Sequence, residues 1–254
     1  MRIALLLVGL GLPVAGGCTN FVANRSNADG VTLFQRGQYQ EALAQFQAAT
    51  YADPGNADGY YNLGATYHRL GRLRTEKNDY LAQAEKNYRQ CLERNPNHRD
   101  CHRGLAVLLI EGNRANEAFA SIQTWAAQSP SLAEPRMELA RLYEEFGNKE
   151  AAANTLAEAV RLNPDDPRQW AAMGKVREEM GDNTQALTDY QHSLGINPNQ
   201  PDVAARVASL QASLAHQPLA LPPPPGTTPG ATPAAVPSNA SAPVLAGQPP
   251  PANR

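Results

Sequence analysis

Small and bulky apolar residues recur at a fixed interval through the middle of the chain. In each cycle an alanine is followed four residues later by a bulky apolar residue and twelve residues later by a proline. The alanines are Ala42, Ala84, Ala118, Ala152 and Ala186, the bulky residues Phe46, Tyr88, Ile122, Leu156 and Tyr190, and the prolines Pro54, Pro96, Pro130, Pro164 and Pro198. Apolar residues four apart share one face of a helix, and a proline pushes the residue before it out of the helical region. The pattern therefore predicts helices that end at regular joints.

Two further sets of small residues mark a second helix in each cycle. One set is opposite the alanines and predicts a close approach of two helices: Gly30, Gly64, Ala106, Ala140 and Gly174. The other set predicts a left-handed residue where the first helix ends and the chain reverses: Gly37, Gly71, Asn113, Gly147 and Gly181. Each cycle is thus a helical hairpin.

The prolines are 42, 34, 34 and 34 residues apart, and this 34-residue self-similarity resembles the tetratricopeptide repeat family over residues 23–200. The resemblance implies an all-α fold, a right-handed superhelical solenoid of helix-turn-helix repeats. The five repeats span 23–56, 57–98, 99–132, 133–166 and 167–200. Segment 201–216 has apolar residues at helical spacing and is predicted to be the capping helix.

Repeat 2 carries eight extra residues between Gly71 and Ala84. Eight residues correspond to about two helical turns, so the hairpin of this repeat is predicted to project beyond its neighbours. The projection is either a plain surface extension or a basic, partner-specific protrusion that carries Arg72, Arg74 and Lys77.

Several residues depart from the family pattern, and three of them bear on the predicted packing. Asp29 occupies a place for a large apolar residue, which predicts a short or frayed first helix in repeat 1. Trp125 occupies a place for alanine, and is expected to shift its neighbour's packing or to lie partly exposed. Arg177 replaces an aromatic residue or leucine, which suits a terminal repeat with one side less covered.

The resemblance also implies a binding groove lined by the first helix of each repeat. Its groove positions correspond here to Tyr61, His68, Arg69, Arg103, Val107, Ile110, Met137, Arg141, Glu144, Lys175 and Glu178, with Asn62 beside them. This set is basic and aromatic early in the chain and more acidic late. It suits an extended protein or peptide partner, although single groove residues are often only solvated surface.

Cys91 and Cys101 flank the turn around Pro96, at the end of one helix and the start of the next. A disulfide is sterically plausible there, and two packed or loop-edge thiols are the alternative. His98 and His102 lie beside them, but the spacing Cys-x6-His-x2-Cys-His matches no common zinc pattern. The sequence therefore predicts no metal site and no cofactor.

The N-terminus carries Arg2, an apolar run from Ile3 to Val14 and small residues before Cys18. The run is shorter than the roughly 20 residues that span a bilayer, which favours a removable export signal. The segment VAGGC resembles the lipobox of bacterial lipoproteins, although Ala15 stands where leucine is usual. This predicts a signal peptide over 1–17, a lipidated Cys18 with a short tether over 18–27, and, from Thr19, an outer-membrane lipoprotein facing the periplasm. An ordinary secretory signal and an uncleaved anchor are the alternatives.

The C-terminal segment 217–254 contains twelve prolines and one charged residue, Arg254. Such a composition predicts a disordered tail, either a solubilising segment or an arm that reaches the cell wall. The net charge of −2 gives no basis for nucleic-acid binding, and no phosphate loop, metalloprotease or hydrolase motif is present.

The sequence thus predicts a non-catalytic protein-protein interaction scaffold without a small-molecule substrate. Tetratricopeptide lipoproteins that help to assemble pili and secretion complexes are similar in architecture. The alternative is a structural envelope component whose proline-rich tail engages the wall.

Overall fold

A computed structural model describes residues 16–73 and 77–216, with the backbone alone described at 16–20, 77 and 78. The described residues form eleven α-helices: α1 (Gly16–Gln35), α2 (Tyr39–Ala52), α3 (Ala57–Leu73), α4 (Lys77–Arg94), α5 (Arg99–Glu111), α6 (Ala115–Gln128), α7 (Glu134–Glu145), α8 (Lys149–Leu162), α9 (Pro167–Met180), α10 (Asn183–Ile196) and α11 (Pro201–Ala215). This confirms the predicted all-α repeat fold. The first fifteen residues of the predicted signal peptide, residues 74–76 of the insertion and the predicted tail lie outside the described residues.

The helices pack as successive hairpins within two compact units that divide between Ser129 and Pro130. In the N-terminal unit α1 packs on α2, α3 on α4 and α5 on α6. In the C-terminal unit α7 packs on α8 and α9 on α10, and α11 covers α10. The five recurrent prolines lie in the joints between hairpins, as predicted.

Four of the five predicted reversal residues adopt a left-handed conformation. Gly37, Asn113, Gly147 and Gly181 have φ values of 77°, 58°, 74° and 85°. The prediction is wrong for Gly71, which lies inside α3. The eight extra residues of repeat 2 extend this helix past the position at which the other repeats turn.

The insertion lengthens both helices of repeat 2. The helices α3 and α4 contain 17 and 18 residues, whereas those of the later repeats contain 12 to 14. Arg72 lies near the end of α3 and is exposed. Arg74 and the side chain of Lys77 lie outside the description, so the basic protrusion remains a prediction.

The first helix begins before its repeat. Helix α1 has 20 residues, and the segment 18–27 that was predicted as a tether is helical and continuous with repeat 1. The prediction of a short or frayed helix at Asp29 is wrong, because Asp29 lies on the exposed side and is 3.8 Å from Arg25, four residues earlier. None of the helices described over 16–73 and 77–216 is both long and apolar enough to cross a bilayer.

The small residues of the first helices make room for the bulky residue of the second helix, not for its alanine. A methyl group added at Gly30 would lie 2.6 Å from Phe46, and one added at Gly174 would lie 2.8 Å from Tyr190. Gly64 faces Tyr88 in the same way. The three repeats whose bulky residue is aromatic therefore have glycine at the small position. The two repeats whose bulky residue is Ile122 or Leu156 have Ala106 or Ala140 there.

Because the small residue of the first helix and the bulky residue of the second share one space, enlarging the small residue is expected to be tolerated only when the bulky residue is made smaller. Gly30→Ala is expected to cost about 1–2 kcal/mol, because overpacking outweighs the gain in helix propensity. In the double variant Gly30→Ala/Phe46→Leu, which reproduces Ala140 with Leu156, the loss is expected to be smaller than the sum of the single losses. Urea unfolding followed by Trp125 fluorescence in a Trp170→Phe background measures this. A stable Gly30→Ala variant would contradict the prediction.

Trp125 is buried, with 1% of its surface exposed, so the expectation of partial exposure is wrong. Its indole stacks on His102 at 4.0 Å between ring centroids. The indole nitrogen donates a hydrogen bond to Asn97 Oδ1 at 2.9 Å. A polar partner at the indole nitrogen removes the cost of burying it.

Helix α9, which carries part of the candidate site, begins at a charged cap. The Asp166 carboxylate accepts a hydrogen bond from the backbone N–H of Arg168 at 2.9 Å and pairs with its guanidinium at 2.6 Å. Hydrogen bonding to the Arg168 side chain lowers the pKa of Asp166. The carboxylate therefore stabilises the fold above its unfolded pKa, and this contribution is lost as the pH falls through the lower folded value.

Asp166→Ala is expected to cost about 1–2 kcal/mol at neutral pH, as the loss of a capping side chain does. The difference from the wild type should close in acid, when Asp166 is protonated. Thermal unfolding followed by Trp170 fluorescence tests this, with Asp165→Ala at the exposed neighbouring position as the control. A loss of stability in Asp166→Ala that persists unchanged below pH ~3 would show that the charge of Asp166 is not its cause.

Candidate functional site

In the N-terminal unit, the first helices carry a row of aromatic and charged side chains. Tyr61 on α3 stacks on His98 at 5.5 Å between ring centroids. His98 Nε2 is 2.9 Å from an Asp58 carboxylate oxygen. Burial, together with Asp100, raises the pKa of Tyr61, whereas the charge of Arg103 lowers it. Arg103 thus lies close enough to Tyr61 for its charge to act on the phenol.

Further along this row, polar side chains bridge neighbouring helices. Asn62 donates to Asn27 Oδ1 at 2.8 Å, which joins α3 to α1. His68 is buried and lies 3.0 Å from Glu111 of α5. Val107 and Ile110 are half-buried. These predicted groove residues are therefore partly structural links between repeats.

Arg69 is placed differently from the other predicted groove residues. Its Nε donates to the hydroxyl of Tyr39 on α2 at 3.2 Å, and its guanidinium lies over that ring at 5.8 Å. The side chain is thus directed toward the second helix of repeat 1.

In the C-terminal unit, the corresponding row is built from linked ion pairs. Lys175 Nζ lies 2.7 Å from Glu144 and 3.6 Å from Glu179. Hydrogen bonding to Glu144 raises the pKa of Lys175. Arg141 pairs with Glu145 at 3.3 Å and with the buried Glu138 at 3.2 Å. Met137, predicted to line the groove, is partly buried and packs against the hydrophobic core.

A pocket of about 450 Å³ opens among α9, α10 and α11. It is lined by Ala171, Lys175, Glu178, Glu179, Tyr190, Asp202, Val203 and Arg206. Glu178 accepts a hydrogen bond from the Tyr190 hydroxyl at 3.0 Å and lies 3.3 Å from Arg206. Burial and the adjacent Glu178 raise the pKa of Tyr190. The pocket thus combines the apolar surface of Ala171, Tyr190 and Val203 with charged side chains.

Sequence reasoning missed several residues of the two helix rows and of the pocket. Glu111, Glu145 and Glu179 occupy the same place near the end of the first helix in three repeats, so the repeat register itself could have identified them. Val203 and Arg206 gave no such signal, because they lie in the capping helix, outside the repeats.

Cys91 and Cys101 form a disulfide between α4 and α5, with their Cα atoms 6.4 Å apart. Together with His98 they make a cluster of residues of metal-binding types. Because the thiolate is the form that binds metals, the two sulfurs in a disulfide do not supply such ligands.

Family models described as TPR repeat or tetratricopeptide repeat match residues 30–71, 76–133, 113–176 and 168–200. A peroxisomal targeting signal receptor from Pichia angusta is 26% identical over 205 residues, which is 76% of this chain and 34% of that protein. The type IV pilus assembly protein PilF of Pseudomonas aeruginosa is 32% identical over 157 residues, which is 60% of this chain and 58% of that protein. The chain therefore spans only part of these curated relatives.

Solved structures agree with the fold. A thermophilic TPR protein from Thermus thermophilus superposes with a TM-score of 0.54 and 23% identity, covering 75% of this chain and 99% of that one. The structure of Pseudomonas aeruginosa pilF gives a TM-score of 0.51 and 16% identity, covering 78% and 92%. At these identities the likeness concerns the fold alone.

Proposed function

We propose, from the premise that this chain belongs to the tetratricopeptide repeat family, that it is a non-catalytic scaffold for assembling a bacterial envelope complex such as a pilus. The repeats indicate a protein-protein interaction scaffold. The observation that carries the proposal is the pocket among α9, α10 and α11, where apolar side chains line the same surface as paired charges. Such a surface suits a side chain of an extended partner segment.

The charges around the pocket favour a partner of a particular chemistry. Among the charged residues that line the pocket, Glu178, Glu179 and Asp202 outnumber Lys175 and Arg206. The pocket lining thus has an excess of negative charge, which attracts cations. The proposed partner segment carries an apolar side chain next to lysine or arginine.

The envelope setting rests on the N-terminal sequence and on one relative. The lipobox-like VAGGC segment supports acylation of Cys18, export and anchoring in the outer membrane on the periplasmic side. The 32% identity to a type IV pilus assembly protein supports a related assembly role.

The test is complementation in the organism that encodes the chain. After deletion of the gene, wild type, Cys18→Ser, Val203→Asp and Glu179→Lys are each expressed, and surface pili and crosslinked partners are recorded. Ala204→Asp, at the exposed position next to Val203, is the matched control. We expect Val203→Asp, which interrupts the apolar surface, and Glu179→Lys, which repels a cationic segment, to lose a discrete partner and pili, and Ala204→Asp to keep both.

Folded protein must be confirmed for each variant by its thermal unfolding. Pili and partners unchanged by both pocket variants would overturn the binding role of the pocket. Full piliation after deletion of the gene would overturn the assembly role.

A further inference from the structure

The outer side of α1 carries large apolar side chains that are largely exposed. Phe21 is 69% exposed and Val22 is 50% exposed. The inner side of the same helix is occupied: Ala23 is buried, Asn27 is bonded to Asn62 of α3, and Gly30 is packed against Phe46. The exposed pair is therefore not part of the repeat core.

These apolar positions share one side of α1 with the predicted acylation residue. Positions 18, 21, 22 and 25 are related by steps of three and four residues, which place them along one stripe of a helix. With a rise of 1.5 Å per residue, positions 21 and 22 lie only about 4.5 and 6 Å along the axis from position 18. Arg25 follows on the same stripe, with 74% of its side chain exposed.

The helix also leaves no room for a flexible connection between Cys18 and the repeats. Backbone helix runs from Gly16 to Gln35 without interruption. An acyl chain on Cys18 would hold the first turns of α1 at the bilayer surface, where apolar side chains enter the boundary between headgroups and acyl chains. Arg25 is long enough to reach lipid phosphates from that position.

Accordingly, we propose that the stripe formed by Phe21, Val22 and Arg25 is a membrane-contact surface that seats the first repeat directly on the lipid bilayer. This proposal rests on the proposed acylation of Cys18. It adds that the first repeat is held against the bilayer in one orientation. The occupant of the surface is the bilayer in which the acyl chains of Cys18 are inserted.

Fluorescent labels on the acylated full-length protein test this. With Cys18 acylated and Cys91 joined to Cys101, a cysteine introduced at Phe21 or Val22 supplies the reactive thiol. The matched control is Tyr51→Cys on α2, where Tyr51 is 89% exposed. The protein is reconstituted in vesicles of phosphatidylethanolamine and phosphatidylglycerol, and quenching by aqueous iodide is compared with quenching by spin-labelled lipid.

We expect labels at 21 and 22 to be shielded several-fold from iodide and quenched by the lipid probe, and the label at 51 to show the reverse. If the protein floats with the vesicles but labels at 21 and 22 are as open to iodide as the label at 51, the proposed seating is wrong and the lipid anchor stands. If all three labels are shielded from iodide, membrane contact is not specific to this stripe, and the proposal that the stripe seats the first repeat is wrong. If the protein fails to float, the acylation itself is wrong, and the seating falls with it.

Discussion

Replacing Arg177 with leucine is expected to destabilise the C-terminal unit by about 3–5 kcal/mol, the usual cost of removing one partner of a buried ion pair. Arg177 of α9 donates from one guanidinium nitrogen to both carboxylate oxygens of Asp189 on α10, at 2.8 and 2.7 Å. Asp189 is only 2% exposed. Leucine would leave this carboxylate buried without its counter-charge.

The pH dependence distinguishes this cause from a simple packing defect. Burial raises the pKa of Asp189, although the charge of Arg177 opposes the shift. A carboxyl with a raised folded pKa favours the fold most below its unfolded value, and this contribution is lost as the pH rises through the folded value. Without the charge of Arg177 the pKa of Asp189 rises further, so the variant loses more stability than the wild type as the pH increases. The deficit of Arg177→Leu should therefore be largest at neutral pH and smallest near and below pH ~4.

The double variant Arg177→Leu/Asp189→Leu is the control. An apolar pair of similar volume often replaces a buried ion pair without loss, so most of the stability should return at neutral pH. The measurement is urea unfolding at pH 7 and pH 4, followed by the fluorescence of Trp170 in a Trp125→Phe background. A deficit of equal size at both pH values, or no recovery in the double variant, would show that packing and not charge is responsible.

Arg177 also illustrates what a single sequence can and cannot predict. The helical hairpins, their proline joints and four of the five reversals follow from local periodicity, because a helix face and a left-handed turn are properties of neighbouring residues. Arg177 was interpreted as a sign of weak covering, since its partner Asp189 lies on the next helix. Whether two such side chains meet depends on the angle at which their helices cross, and the periodicity of the sequence does not predict that crossing angle.

The same limit applies to the candidate site. The repeat register predicted Lys175 and Glu178 as groove residues of one helix, where Lys175 is exposed and Glu178 half-buried. It did not indicate that Val203 and Arg206 complete a pocket with them, because the position of α11 is set by packing on α10.

The second large effect is expected at the disulfide of the N-terminal unit. Cys91 and Cys101 are ten residues apart in sequence, and closing a loop of that length lowers the entropy of the unfolded chain by an amount worth about 2.5–3 kcal/mol. Reduction by a dithiol should therefore lower the free energy of unfolding of this unit by that amount. Both cysteines are fully buried, so packing must be separated from the cross-link.

Two comparisons make that separation. The wild type is unfolded in urea with and without the reductant, and Cys91→Ala/Cys101→Ala is treated in the same way, with Trp125 reporting in a Trp170→Phe background. We expect the wild type to lose stability on reduction and the double variant to be indifferent to the reductant. The wild type's loss then measures the cross-link, and the difference between the reduced wild type and the double variant measures the packing of the two sulfurs. Equal unfolding midpoints for the oxidised and reduced wild type would mean that the turn around Pro96 is ordered by its own contacts, among them the hydrogen bond from the Cys101 N–H to His98 Nδ1.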